Sequence, residues 1–226
     1  VTKVLDLFCG GGGAAEGYLR AGWEVTGVDH SAWAVKGYPG NTVVQDAISY
    51  LREVGTEGFD IIHASPPCQG YSLHSSREKS QYVRDAGRNE PKLIPIVRSL
   101  LRNTGKPYII ENVTKARWEM YSPITLCGGM FGLVFRRHRL FETYPRLPDP
   151  LPGHRCVNLT EMAALLGVER QELSMGGNGR KAQQRDRWIK WLEVKLNPTM
   201  SRYQTKEAIP PAYTHFIAEC FKELGI

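Results

Sequence analysis

Short apolar runs, each ending in an acid or a turn residue and each followed by a helix-compatible stretch, recur through the first half of this chain. That alternation confines it to an α/β fold on a parallel sheet. Val4 to Phe8 reads as a first strand and passes through Gly10 to Gly13 into the helical run Ala14 to Ala21. Trp23 to Val28 follows and ends at Asp29, Thr42 to Val44 ends at Gln45 and Asp46, and Phe59 to Ala64 ends at Ser65-Pro66-Pro67-Cys68. Leu93, Ile94, Ile96, Val97, Leu100 and Leu101 recur at helical spacing, which predicts an amphipathic helix over 90–104. Pro107 to Ile110 is the fifth strand and ends at Glu111 and Asn112. Each polar residue of interest thus falls just past the C-terminal end of a strand, the edge where open α/β sheets take their ligands. Beyond Thr143 the residues Pro145, Pro148, Pro150 and Pro152 break regular structure, leaving short helices at Thr160 to Leu166 and Gln184 to Leu192 and a longer one at Ala208 to Leu224.

A chain of 226 residues can bury one full core with a small appendage. With 42% hydrophobic and 23% charged residues it reads as globular, and no stretch approaches the length of a membrane span. The first residues run straight into a strand-like segment rather than a charged and then apolar leader, so an intracellular, cytoplasmic setting is expected. The five cysteines, Cys9, Cys68, Cys127, Cys156 and Cys220, are odd in number and widely spaced, which predicts no structural disulfide and no metal. The formal charge of +6 fits a polyanionic partner. Basic residues concentrate between Arg170 and Lys206, where Arg180, Lys181, Arg185 and Arg187 are interleaved with Trp188, Trp191 and Tyr203 beside the Gly176-Gly177-Asn178-Gly179 loop. Two readings remain for this segment: a surface for phosphates and unstacked bases, or a solvated amphipathic helix whose tryptophans pack on the core.

Two turns carry chemistry. Cys68 stands at the end of an apolar strand behind two prolines that fix φ and remove amide donors, so its thiol can be aimed as a nucleophile; alone it equally suits a small buried hydrophobe. Gly10 to Gly13 lets the backbone approach a cofactor closely, and Asp29, about twenty residues on, can accept from ribose hydroxyls. A nicotinamide or flavin cofactor uses the same layout, but Asp6 at the strand end, Phe8 beside it and the lack of a nearby basic residue favour an adenosyl group without a pyrophosphate.

With Asp6-Leu7-Phe8-Cys9-Gly10 at the start, Pro67-Cys68-Gln69 in the middle, Glu111-Asn112-Val113 after it and Arg137-His138-Arg139 as a fourth ordered block, the chain resembles the DNA cytosine C5-methyltransferases. The likeness runs from residue 1 to about 143 and resumes near the C-terminus. It implies a Rossmann-like S-adenosylmethionine-dependent methyltransferase fold with a small, irregular target-recognition region. On this reading 1–143 is the catalytic and cofactor-binding domain, 144–198 the DNA-recognition region, and 199–226 a segment packing back on the catalytic domain. The implied chemistry is a Cys68 thiolate adding to carbon 6 of cytosine, with Glu111 near N3, Arg139 on O2, and Asn112 and Arg137 holding the loop and Glu111 in register. For the cofactor, S-adenosylmethionine, the resemblance implies Asp6, Phe8, Gly10, Gly12, Asp29, Asp46 and Pro66, although Asp29 and Asp46 also suit turn or N-cap positions. Double-stranded DNA, its target base rotated out of the stack, is the implied partner of a monomeric enzyme. Gln69, Ser72, Arg77, Lys79, Arg180, Lys181, Arg185 and Arg187 are the candidate contacts. The loop Ser75 to Arg88 reads either as a lid over that base or as an ordinary exposed connection.

Three positions depart from the family pattern: Phe135 stands where Gln is expected, His30 where a large apolar residue often covers adenine, and Glu207 where Asn is expected. The small size suggests a phage, prophage or restriction-modification origin. Two alternatives to a DNA enzyme stay open, namely an RNA (tRNA) cytosine C5-methyltransferase on the same fold and a nucleic-acid-binding module that has lost catalysis, with Phe135 and Glu207 as the lesions.

Overall fold

The computed structural model describes residues 1–72, 91–133, 137–148, 156, 158–166, 204 and 207–226. Their centre is a seven-stranded sheet in the order β3-β2-β1-β4-β5-β7-β6. The strands are β1 Lys3–Leu7, β2 Glu24–Asp29, β3 Asn41–Val44, β4 Ile61–Ala64, β5 Tyr108–Asn112, β6 Ile124–Leu126 and β7 Arg139–Tyr144. β1 to β5 pair in parallel. The helices are α1 Gly13–Arg20, α2 Ala47–Glu53, α3 Gln69–Ser72, α4 Ile94–Asn103, α5 Leu159–Leu166 and α6 Pro211–Glu223. The predicted helix Gln184 to Leu192 lies outside the described residues.

Strand alternation divides the core into two clusters. Val4, Ile61 and Ile109 pack with Tyr18 of α1 and Tyr213, Ile217 and Phe221 of α6. Their neighbours Leu5, Ile62 and Ile110 pack instead with Val97 and Leu101 of α4 and Ala47 and Tyr50 of α2. Successive side chains of a strand point to opposite faces, so paired apolar residues at adjacent positions are what a sheet covered on both sides requires. In α4, Ile94, Val97, Arg98 and Leu101 fall on one buried stripe. α1 and α6 meet through Gly17, where an added Cβ would strike Thr214 and the carbonyl of Pro211. The close approach lets the Thr214 hydroxyl donate to the Ala14 carbonyl at 2.8 Å.

Two expectations need correction. The sheet is mixed, not parallel throughout, because β7 runs antiparallel to both β5 and β6. β7 hides its strand character behind Glu142, an acid only 2% exposed. Arg98 on α4 clamps that carboxylate with Nε at 2.6 Å and a terminal nitrogen at 2.7 Å, and the Tyr121 amide donates to it at 2.8 Å. The fifth strand also runs further than its apolar run, so Glu111 and Asn112 are its last two residues rather than the first of a loop. Both are buried at a strand end paired with β7.

Candidate active site

The strand order reverses between β1 and β4, since the chain leaves β1 toward β2 and β3 and returns to β4 on the other side. The crevice above such a point is where open α/β sheets bind ligands. A cavity of about 360 Å³ opens there, lined by the turn after β1 (Phe8 to Gly11), the turn after β2 (Asp29 to Ser31), the loop after β4 (Ser65 to Gln69) and Glu111 and Arg139.

On the β1–β2 side the wall is made of carboxylates and backbone. Asp29 accepts from the Gly10 amide at 3.1 Å and the Ser31 amide at 3.0 Å, which ties the two turns together. Asp6 is fully buried and accepts from the Tyr38 hydroxyl at 2.8 Å. Its other oxygen has no hydrogen-bond partner among the described residues. Burial pushes the Asp6 carboxyl up to about 7, opposed by the Tyr38 hydrogen bond and aided by the Asp29 charge. Phe8 lines the cavity with φ at 59°, a left-handed backbone uncommon for a bulky residue. Gly12 lies behind the wall: its φ is +86° at the N-cap of α1, and a Cβ there would strike Pro39 and Tyr38. Together with Gly27 it makes room for the Tyr38 ring that reaches Asp6. Asp46 caps α2 by accepting from the Ser49 amide at 2.8 Å and is not among the residues that line the cavity.

The β4–β5–β7 side holds the predicted nucleophile and acid. Cys68 is half-buried on the loop after β4 and free of any disulfide. Asn112 pins that loop, donating to the Pro66 carbonyl at 2.9 Å, while its own oxygen accepts from the Val113 amide at 2.9 Å. Arg139 Nε lies 2.8 Å from Glu111 Oε1 in an ion pair. That oxygen meets no donor aligned well enough for a hydrogen bond among the described residues, so the contact is ionic rather than a directed bond. Burial pushes the Glu111 carboxyl up, against the lowering pull of Arg139, Arg137 and a hydrogen bond from Ser65. Arg137 is buried behind the pair, not on the cavity wall, and its carbonyl accepts from the Tyr213 hydroxyl at 2.6 Å. Burial, reinforced by Arg139, pushes Arg137 down to about 9, so it remains charged at neutral pH.

Several wall residues were missed by the sequence reading. Behind the wall, buried His63 of β4 and half-buried Ser65, just past the strand's end, form a hydrogen-bonded chain that reaches Glu111. Tyr18 Oη stands 2.7 Å from His63 Nδ1, and His63 Nε2 stands 2.9 Å from Ser65 Oγ. Burial pushes His63 down to about 3, which keeps it neutral. The i, i+2 spacing of a His and a Ser ahead of Pro66 was the available signal. Trp33 is 53% exposed yet lines the cavity. It is held by Gln204, whose side-chain amide donates to the carbonyls of Trp33 and Ala34 at 3.3 and 3.1 Å. His30, also on the wall, is exposed with Nδ1 3.3 Å from Asp29. Glu207 lines the opposite edge. Gln69 is on the wall and Ser72 ends α3. Arg77, Lys79, Arg180, Lys181, Arg185, Arg187 and Phe135 lie outside the described residues.

Fold and site together define an α/β nucleotide-cofactor domain with a cysteine and a buried acid at its switch-point cavity. The C-5 cytosine-specific DNA methylase model matches residues 2–119, and the chain belongs to that family. It is 30% identical over 181 residues to the Type II methyltransferase M.AgeI of Thalassovita gelatinovora, covering 67% of this chain and 42% of that protein. The similarity to M.HgiGI of Herpetosiphon aurantiacus is 32% over 127 residues, 51% of this chain and 93% of that one. The chain therefore spans less than half the length of M.AgeI. Among solved structures, the Entamoeba histolytica methyltransferase EhMeth superposes with a TM-score of 0.61 at 13% identity, covering 99% of this chain and 98% of that one. A Spodoptera frugiperda DNMT2 mutant does so at 0.54 and 15%, with both chains fully covered. These two share the methyltransferase fold. Among the described residues no helix is long and apolar enough to cross a membrane.

Proposed function

We propose that this protein transfers a methyl group from S-adenosylmethionine to carbon 5 of cytosine in double-stranded DNA. The observation that carries the reading is the convergence of Cys68, Glu111 and Arg139 on the cavity that Asp6, Phe8 and Asp29 also line. The cavity's size is in the range of small-molecule sites. Its residues suit the cofactor: Asp29 retains lone pairs for hydroxyls, and the second oxygen of Asp6 is a buried acceptor awaiting a donor. S-adenosylmethionine supplies, when bound, the electrophilic methyl group. Phe8 and Trp33 offer the apolar surfaces for an adenine, Trp33 in place of the apolar residue expected at His30. Gly10 presents backbone to the methionine end, and Pro66 shapes the wall between cofactor and base.

Carbon 5 of cytosine is a weak nucleophile, so the Cys68 thiolate adds first to carbon 6. Glu111, whose carboxyl burial pushes toward its protonated form, donates to N3 as electron density moves onto the ring. Arg139 hydrogen-bonds the ring O2 and stabilises charge there. Asn112 fixes the Cys68 loop, and Arg137 supports the Glu111–Arg139 pair from behind. After transfer, the carbon 5 proton leaves to a base, the Cys68 bond to carbon 6 breaks and the N3 proton returns to Glu111, restoring the thiolate, the acid and the aromatic ring. A base in a duplex has to rotate out of the stack to reach this cavity. Gln69 and Ser72, with Arg77, Lys79, Arg180, Lys181, Arg185 and Arg187, are the groups proposed to contact the nucleic acid, and the small region 144–198 to read it.

Nucleoside mass spectrometry tests this on duplex DNA and on tRNA, each incubated with S-adenosylmethionine and either the native protein or Cys68→Ala. 5-Methylcytosine in DNA with the native protein alone is the expected result. Product on tRNA only would select an RNA enzyme, and product with Cys68→Ala would exclude the covalent route.

A further inference from the structure

Cys127, His138 and Cys156 lie away from the cavity and have no part in the chemistry above. They come from three separate segments. Cys127 follows β6 at the start of the 3-10 turn Gly128–Phe131, His138 immediately precedes β7, and Cys156 stands between β7 and α5. The fold nevertheless brings both sulfurs and a ring nitrogen of His138 within 4.8 Å of one another, with Nε2 of His138 3.3 Å from Sγ of Cys156. We propose that these three side chains bind one zinc ion, with water in the fourth position.

The geometry fits that ion. Zn–S and Zn–N bonds of about 2.3 and 2.0 Å at a tetrahedral centre require S···N separations of about 3.5 Å and S···S separations of about 3.8 Å. The His138–Cys156 edge is already that short, and closing the longest edge takes a contraction of about 1 Å. Two sulfurs and an imidazole are soft and borderline ligands, and no carboxylate joins the group among the described residues, which suits zinc and disfavours magnesium or calcium. The backbone amides of Gly129 and Arg137 hydrogen-bond to the Cys127 sulfur and hold it in place. The sequence Cys127-Gly128-Gly129 makes this possible, the turn folding an amide two residues on back over the sulfur. Cys127 is fully buried and Cys156 exposed, so the ion would sit at the protein surface with one open face. Binding releases the two thiol protons to solvent and leaves the imidazole neutral.

Such an ion would tie the chain beyond β7 to the ends of β6 and β7. His138 stands between Arg137 and Arg139, so the clamp would also set where those two guanidiniums start. The widely spaced cysteines gave no sign of this, because the third ligand is a histidine and Cys127 meets His138 only once β6 pairs with β7, Leu126 opposite Arg139.

The test is metal analysis by mass spectrometry on the native full chain purified under reducing, chelator-free conditions, with cobalt(II) titration alongside. About one zinc per chain is expected, together with a thiolate-to-cobalt charge-transfer band and a tetrahedral ligand-field spectrum. Cys156→Ser, at an exposed position that leaves the core intact, should weaken zinc binding by about 100-fold or more and remove most of the band. Cys220→Ser and Cys68→Ala should keep both. Zinc content well below one per chain, zinc retained in both Cys156→Ser and His138→Gln, or a Cys127–Cys156 disulfide in the reduced preparation would each overturn the proposal. None of these outcomes depends on whether the protein methylates DNA.

Discussion

The two walls of the cavity are built by different means. The β1–β2 wall is assembled from local turns: Asp29 bonds an amide two residues ahead and another nineteen behind, and its neighbour Asp6 faces a phenol rather than a cation. The β4–β5–β7 wall depends on pairing between distant segments. Glu111 sits opposite Phe141 in the antiparallel register, and Arg139, two residues from Phe141 on the same face, is its diagonal neighbour. A wall made of turns holds its shape through backbone geometry, whereas the reactive wall holds its charges only while β7 keeps its register. The first suits a cofactor site that must be preformed, and the second suits a buried acid whose charge is balanced by a cation on a neighbouring strand.

Removing the nucleophile should separate the walls most sharply. Cys68→Ala is expected to lower methyl transfer by about three orders of magnitude or more. It should leave S-adenosylmethionine affinity within about twofold of native by calorimetry, since the β1–β2 wall is untouched. Comparable losses in rate and cofactor affinity would show that the two walls are not independent. The register of β7 is attacked instead by Glu142→Ala, which leaves Arg98 buried without its carboxylate. That change should cost about 3–5 kcal/mol in urea denaturation, the usual penalty for stranding one member of a buried ion pair.

The first wall was also the one most legible in sequence. The Gly10 to Gly13 turn and Asp29 announce themselves because turns need particular residues at particular places, and on the second wall the same holds only for the Cys68 loop. β7 was not legible: of its charged residues Glu142 is buried and Arg139 half-buried, each against a partner on another element, so an apolar alternation is interrupted where tertiary pairing compensates it. Asp46 is ambiguous in sequence, since a strand-end acid suits both a cofactor contact and an N-cap, and one of its oxygens does cap α2. Trp33 was passed over because an exposed tryptophan after a strand looks like surface until Gln204, 171 residues away, is seen holding its backbone.

Within the reactive wall, Glu111→Gln keeps the shape of the side chain and removes its proton. A loss in kcat of about 100-fold is expected. The native pH profile should carry a limb that falls as pH rises, because burial holds the carboxyl protonated to higher pH than usual, and the variant should lack that limb. A limb persisting in Glu111→Gln would assign it to another group. On the opposite wall, Trp33→Ala should raise the S-adenosylmethionine Kd by about tenfold, the cost of about 1.4 kcal/mol for a lost aromatic contact. An unchanged Kd would leave Phe8 as the aromatic surface for the adenine.

The subtlest contrast lies in how the β1–β2 wall responds to pH. Burial holds Asp6 at about 7 in the folded protein, against an ordinary value of 3.8, so the folded state binds its proton more tightly than the unfolded chain does. Its contribution to stability is therefore complete below about pH 4 and is lost as pH rises through about 7. His63 runs the other way, since burial pushes it down to about 3: its contribution is present above its ordinary 6.5 and is lost as pH falls toward 3. Asp6→Asn preserves an acceptor for Tyr38 and takes away only the titration, so subtracting its urea midpoints from those of the native protein isolates the Asp6 part from that of His63. The native protein should lose stability relative to Asp6→Asn between about pH 4 and about pH 7, as the unfolded chain gives up its proton first. A difference that stays flat across that range would mean that Asp6 is already ionised in the folded protein, with a cation or ordered water supplying the partner its second oxygen lacks.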